Sequence, residues 1–345
     1  MSKHVPAKTR AKSTIIVTPR ERFGVSELSL QRLAELTDGT FELVYIDGGS
    51  PRDVAGHLQA ICEENGYRYL RHDGYLTPNA ARNIGQRMAA TEYVVFLDND
   101  VIVSEGWLRA LEQCADETGA EVVAPLTCQR FPLHQEIHQA GGQFVANLKA
   151  FLDGDEDARR ITDIHLMQGQ KVSDVKLERG ESQCCEFHCA LVRASAFERF
   201  GDLDENLMAT KEHIDFCMTV WTHGGKVMFE PASVVTYLFP NQAHPLTMRD
   251  WPYFALRWSP RWQKASLDRF RSKWALDKDP YFETRNGMLD WRLKEGIVKP
   301  TVRKIPLVGR SHKGVAAATW ILLPIVRGWS HWLAARHARR QRRLT

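Results

Sequence analysis

The chain has 345 residues, 43% hydrophobic and 26% charged, which excludes a disordered polymer and suits one large α/β domain plus an appendage, or two modest domains. Residues 296–345 hold eleven Lys and Arg and no Asp or Glu, so the body is net acidic and an anionic partner is expected for the tail alone. Seven cysteines without framework spacing, and no secretory signal, point to reduced thiols and a cytosolic body.

Residues 1–12 read as a flexible basic leader. Residues 13–18 (STIIVT) form a short β-branched run typical of a buried strand, and a helix is expected over 26–36. A second strand at 41–46 ends in the turn cluster Asp47-Gly48-Gly49-Ser50. A helix over 51–65 and a short strand at 67–70 follow. Thr77 caps the next helix, with Pro78 at its first position, and that helix runs to about Ala89. The run YVVFL at 93–97 is another buried strand, ending at Asp98-Asn99-Asp100. A helix at 105–115 and a strand at 121–125 complete an alternation that implies βαβ units and a mostly parallel sheet.

Ligands of such sheets bind beyond the carboxyl ends of the strands. The corners at Thr18-Pro19-Arg20, at Asp47 and at Asp98-Asn99-Asp100 share that edge. From 126 to 181 the pattern weakens into expected loops over the site. Strands are expected at 185–192, 226–229 and 233–238, with helices at 194–200 and 212–222. Beyond Pro240 the character changes: within 241–313 five tryptophans stand among basic residues, which reads as helices packing on the body. The expected division is a leader 1–12, a catalytic domain 13–240, a Trp-rich helical extension 241–313 and an apolar, basic tail 314–345.

Two acids one residue apart at a strand end suit a hard divalent cation that keeps positions open for phosphate oxygens. Alone, the tripeptide reads more readily as a solvated turn in which Asp98 or Ser104 caps the next helix. The context favours the metal. YVVFLDNDVIVSEGWL, VYIDGGS, TPNAARNIG, FHCALVRASAFERFGDLDENL and KEHIDFCMTVWTHGGKVMFEP resemble, in order and spacing, segments of the family 2 glycosyltransferases. The resemblance covers about residues 13–240.

That resemblance implies a GT-A fold, Rossmann-like, with a mostly parallel sheet, flanking helices and here a helical C-terminal extension. It implies metal-dependent, inverting transfer of a sugar from a nucleotide-diphosphate donor, a UDP-sugar, to an acceptor hydroxyl. Thr18, Pro19 and Glu21 would meet the nucleotide, Asp47 its base, and Arg82 and Asn83 would face it. Asp98 and Asn99 would serve the donor, and Asp98 with Asp100 would hold Mn²⁺ or Mg²⁺. The catalytic base would lie in Glu212-His213-Ile214-Asp215, with Glu212 preferred, Asp215 next, and His213 aligned with the usual position.

The chain departs from the pattern twice. His213 stands where a carboxylate is usual, which keeps a non-catalytic, nucleotide-sugar-binding domain as the alternative. The later His ligand is absent from 234–237, leaving His244 as the nearest candidate. A zinc reading of Cys184, Cys185, His188 and Cys189 is weaker than one of buried structural cysteines. A dinucleotide oxidoreductase would need a G-x-G-x-x-G after the first strand, which is missing.

The expected partners are the donor, a glycan or lipid-linked acceptor, and an anionic membrane surface met by 314–345; no nucleic acid is expected. The apolar run 315–326 is too short to span a bilayer. An interfacial or re-entrant helix is expected, with Ile325, Trp329, Trp332 and Leu333 on one face before an arginine cluster; the alternative is an apolar stretch packed on the catalytic domain with solvated arginines. The expected location is the cytoplasm, peripheral on the inner face of the cell membrane.

Overall fold

The structure is a computed structural model that describes residues 10–239 and 245–342. Most of the expected leader, His244 and the last arginine of the tail, Arg343, lie outside the described residues. In chain order the elements are β1 (Ser13–Thr18), α1 (Ser26–Leu36), β2 (Glu42–Gly48), α2 (Arg52–Glu64), β3 (Arg68–His72), α3 (Pro78–Gln86), β4 (Tyr93–Asp98), β5 (Val101–Val103), α4 (Trp107–Thr118) and β6 (Val122–Gln129). An irregular stretch holds β7 (Glu136–Gln139), β8 (Gly142–Val145), α5 (Leu148–Leu152), β9 (Ile161–His165) and β10 (Gly180–Glu181). Then come β11 (Cys189–Arg193), α6 (Ser195–Phe200), α7 (Glu212–Thr222) and β12 (Val227–Tyr237). The C-terminal part is helical: α8 (Trp251–Arg257), α9 (Pro260–Lys273), α10 (Pro280–Gly287), α11 (Trp291–Leu293), α12 (Lys299–Arg303) and the long α13 (His312–Gln341).

The main sheet runs β10-β12-β6-β11-β4-β1-β2-β3, with β5 on β12 and β7 on β6. β1 pairs in parallel with β2 and β4, and β2 with β3. β11 enters antiparallel between β4 and β6, and β12 is parallel to β6. The strand expected at 185–192 is shorter, because residues 182–188 are held by irregular hydrogen bonds to Gly142 and Gln139 instead. The two strands expected at 226–229 and 233–238 are one strand with a bulge between Glu230 and Val234.

Period-2 side chains split the core in two. Ile16, Val94 and Phe96 join one layer with α3, α6, α7 and α9. Ile15, Val17, Val95 and Leu97 join the other, with α1, α2 and α4. α3 lies hard on β1: a Cβ on Gly85 would overlap Cγ2 of Ile16. All seven cysteines are buried and form no disulfide among the described residues.

The C-terminal helices pack on the strand-end side of the body. The Tyr253 hydroxyl donates to the Leu76 carbonyl at 2.8 Å, and the Trp258 indole donates to Glu21 Oε1 at 2.8 Å. α13 lies over this layer, with Leu323, Val326, Trp329 and Leu333 against Leu246, Phe254, Trp258 and Ile297. Trp329 and Leu333 therefore face inward, whereas Ile325 and Trp332 face out, so the single face expected of these four residues is two. Among the described residues no helix is long and apolar enough to cross a membrane.

Candidate functional site

Parallel pairing brings the carboxyl ends of β1, β2 and β4 side by side, as Thr18 opposite Asp98 shows. Asp98 is buried at the centre. Its Oδ1 accepts from Arg82 Nη2 at 3.0 Å, and its Oδ2 meets Arg20 Nη1 and His188 Nδ1, both at 3.1 Å. Burial disfavours its charge, but Arg20, the His188 hydrogen bond and Arg82 outweigh this and hold Asp98 well below the usual carboxylate range.

Asp100 is the opposite case. It is 0% exposed, and neither carboxylate oxygen has a hydrogen-bond partner. Burial first, then the charges of Asp98 and Glu21, push its pKa far up. An ionised carboxylate in such a place calls for a cation. Asp98, Asp100 and His188 offer ligand atoms within 4.8 Å of one another, a mixed oxygen and nitrogen set that could hold a divalent cation. In the sequence His188 was weighed only in a zinc group with cysteines, not as a partner of Asp98 and Asp100. It stands one position before β11, and its ring stacks on Tyr237, the end of β12, where no histidine exists. A second group, His138, His165 and Glu186, is also close enough to share an ion, though His165 already hydrogen-bonds Glu186 at 3.2 Å.

The other expected residues divide into two sets. Arg20 and Glu21 reach the centre: Arg20 pairs with both Asp98 and Glu21, and Glu21 also meets Arg257 at 3.5 Å. Thr18 Oγ1 is buried there without a partner. Pro19 packs against Gly48, closing β1 on β2. Asp47 is spoken for: it accepts from Ser50 N and Oγ at 2.8 Å, from Tyr69 at 2.6 Å and from Arg71. Asn99 and Asn83 brace loops. Asn99 accepts from Arg20 N at 2.7 Å and donates to Ser26 Oγ at 2.7 Å. Asn83 bonds both backbone groups of Leu203. Arg82 is fully buried behind Asp98, lying over the Phe187 ring.

Next to this centre opens a cavity of about 870 Å³, lined by Arg20, His188, Glu212, His213, Tyr237 and Trp258 among others. Glu212, at the N-terminus of α7, accepts from Arg257 Nη2 at 3.1 Å, while its Oε2 has no partner. Burial raises its pKa, and Arg257 with His213 and Arg82 more than reverses this, so Glu212 is held below the usual range. His213 is pushed toward its neutral form by burial, against the pull of Glu186, 3.6 Å away. Asp215 is not in the cavity. Its oxygens accept from Lys273 Nζ at 2.7 Å and Trp274 Nε1 at 2.8 Å, tying α7 to the end of α9. Spacing of three put it near Glu212 in sequence, but the helix turns it toward the C-terminal layer.

A family model described as glycosyl transferase family 2 matches residues 13–201, more than half of the chain. The chain is 26% identical over 225 residues to the pre-mycofactocin glycosyltransferase of Mycobacterium tuberculosis strain H37Rv, covering 64% of this chain and 41% of that protein. It is 24% identical over 210 residues to polypeptide N-acetylgalactosaminyltransferase 12 of Mus musculus, covering 59% and 35%. It thus spans about two fifths or less of the length of these curated relatives. A crystal structure of GalNAc-T7 with UDP, GalNAc and Mn²⁺ superposes with a TM-score of 0.51 and 17% identity, over 86% of this chain and 58% of that one. At that identity the likeness speaks for the fold, the GT-A arrangement of sheet and flanking helices. The match over more than half its length, on strands that end in these acids, shows that the chain belongs to glycosyl transferase family 2.

Proposed function

We propose that this chain moves a sugar from a nucleotide-diphosphate donor, a UDP-sugar, to a hydroxyl of a glycan or lipid-linked acceptor, inverting the anomeric carbon and using Mn²⁺ or Mg²⁺. The observation that carries the reading is Asp100, a buried carboxylate with both oxygens unpartnered beside Asp98 and His188. These three residues would hold the cation, which when bound offsets negative charge on the departing diphosphate.

The chain's own residues supply the rest. Arg20 lines the cavity with its charge against Asp98, where it can also meet a phosphate oxygen. Glu212 lines the cavity, and its Oε2, buried without a hydrogen bond, would take the proton of the acceptor hydroxyl as that oxygen attacks. His213 beside it is the second candidate. Trp258 and Tyr237 give apolar walls on which a sugar ring can stack.

One observation favours the competing reading of a domain that binds the donor without transferring it: Arg257 lowers the basicity of Glu212. A thermal-shift panel of nucleotide sugars with and without Mn²⁺, followed by release of the free nucleoside diphosphate, separates the two. Stabilisation by a donor together with its turnover in the presence of acceptor supports transfer. Stabilisation without turnover against any acceptor tried supports binding alone, and no metal-dependent stabilisation refutes the nucleotide-sugar reading.

A further inference from the structure

α13 carries two apolar stripes, and only one is used. The inward stripe packs on the body, as described above. The outward one holds Ile321, Ile325 and Trp332, which are 59%, 64% and 53% exposed and recur at helical spacing. Trp320, 80% exposed, adds to its first turn. Arg336 and Arg339 continue the stripe toward the C-terminus, and Arg336 lies over the Trp332 ring at 5.4 Å.

At this arginine end the helix closes a second cavity, of about 460 Å³, against the loops after β2 and β3. Its walls carry Arg52, Arg71, His72, Arg336, His337 and Arg340, against one acid, Asp73. Arg71 is paired with Asp47, whereas Arg52, Arg336 and Arg340 form no ion pair among the described residues. The Arg340 guanidinium is laid over Gly74, and His337 Nε2 contacts the Tyr75 carbonyl at 2.9 Å, so the pocket is shaped by packing rather than by a loose tail. The N-terminus of α2, whose cap residue Pro51 has no side-chain cap, stands at the rim and adds its own partial positive charge.

An apolar stripe that runs into a concave cluster of unpaired guanidinium groups matches the two layers of an anionic bilayer surface, acyl chains and phosphates. We propose that the enzyme docks on an anionic phospholipid membrane through α13, with Ile321, Ile325 and Trp332 in the interface and a lipid phosphate seated between Arg52, Arg336 and Arg340. The inference does not depend on the transfer reaction. It gives the expected membrane contact a definite site, and it puts that site on the folded body rather than on a detached tail.

The test is co-sedimentation of the full chain with phosphatidylcholine vesicles, with and without phosphatidylglycerol, at low and high salt. Two exposed double variants are compared: Arg336→Gln with Arg340→Gln, and Ile321→Ser with Ile325→Ser. An unchanged melting temperature verifies that each folds. The parent chain is expected on phosphatidylglycerol vesicles and to leave them as salt rises. Each cation near an anionic surface contributes roughly a factor of five in partitioning, so the arginine variant should bind about twenty-five-fold more weakly. The isoleucine variant should lose roughly tenfold at either salt. Binding indifferent to phosphatidylglycerol, or an arginine variant that binds like the parent, overturns the proposal. So does a parent chain that stays off vesicles and sediments as a dimer which the isoleucine variant dissolves, because the stripe would then be covered by a second copy.

Discussion

His188 lies flat against Tyr237, with ring centroids 3.9 Å apart and planes 21° from parallel. The stack holds the imidazole beside Asp98 and supplies a nitrogen near the end of β12, where the strand itself has none. His188→Ala should weaken Mn²⁺ binding in the presence of UDP at least about tenfold. Tyr237→Phe, which keeps the stacked ring, should bind nearly as the parent does. Titration calorimetry measures both, and an unchanged affinity in His188→Ala removes His188 from the ligand set.

Without a cation the Asp100 carboxylate has no hydrogen-bond partner, and its burial and its acidic neighbours disfavour its charge. Asp100→Ala should therefore melt no lower than the parent in chelator, yet lose the stabilisation by Mn²⁺ and UDP and at least about a hundredfold in turnover. A variant with full turnover in chelator refutes the metal assignment.

Glu212 and Asp215 should respond differently to amide substitution. Glu212→Gln is expected to bind UDP normally and to lose transfer, since a base acts on the acceptor. Asp215→Asn should transfer normally but melt lower, by about 1–3 kcal/mol, for its bonds to Lys273 and Trp274 are structural. The reverse pattern would exchange their roles.

Lys211 is buried at the start of α7 and paired with Asp163, which also accepts from Tyr281 at 2.8 Å and Arg285 at 3.1 Å. Burial raises the pKa of Asp163, but Lys211, His213 and Arg285 overcome this and hold it below its usual range. A depressed carboxylate contributes stability that is present above its unfolded pKa, near 4, and is lost as pH falls below it. Lys211→Met should cost about 3 kcal/mol at neutral pH and flatten this acid loss. Urea unfolding of both proteins across pH 3–7 checks the sign.

Gly85 lets α3 approach β1. Gly85→Ala should destabilise by about 1–3 kcal/mol, because the added methyl overlaps Ile16, which is buried on all sides. A melting temperature equal to the parent's would show that α3 can shift without loss.

The sequence alone determined the sheet's parallel half and its acidic edge. β-branched runs such as STIIVT bury both faces, Thr77-Pro78 starts a helix by local chemistry, and Asp98-Asn99-Asp100 ends its strand within the same few residues. These are short-range signals, legible because the residues that produce them are neighbours in the chain. Tertiary structure decided the rest. His188 joins Asp98 and Asp100 across about ninety residues because β11 inserts antiparallel beside β4. Asp215 leaves the site because α9 brings Lys273 and Trp274 to it, and Arg257 reaches Glu212 from a helix that the period of the sequence could place on no surface in particular. Trp329 and Trp332, three residues apart, take opposite environments because α13 lies on the body along one side. Burial and ion pairing between distant segments depend on which surfaces meet, and the pattern of one helix or strand does not contain its partner.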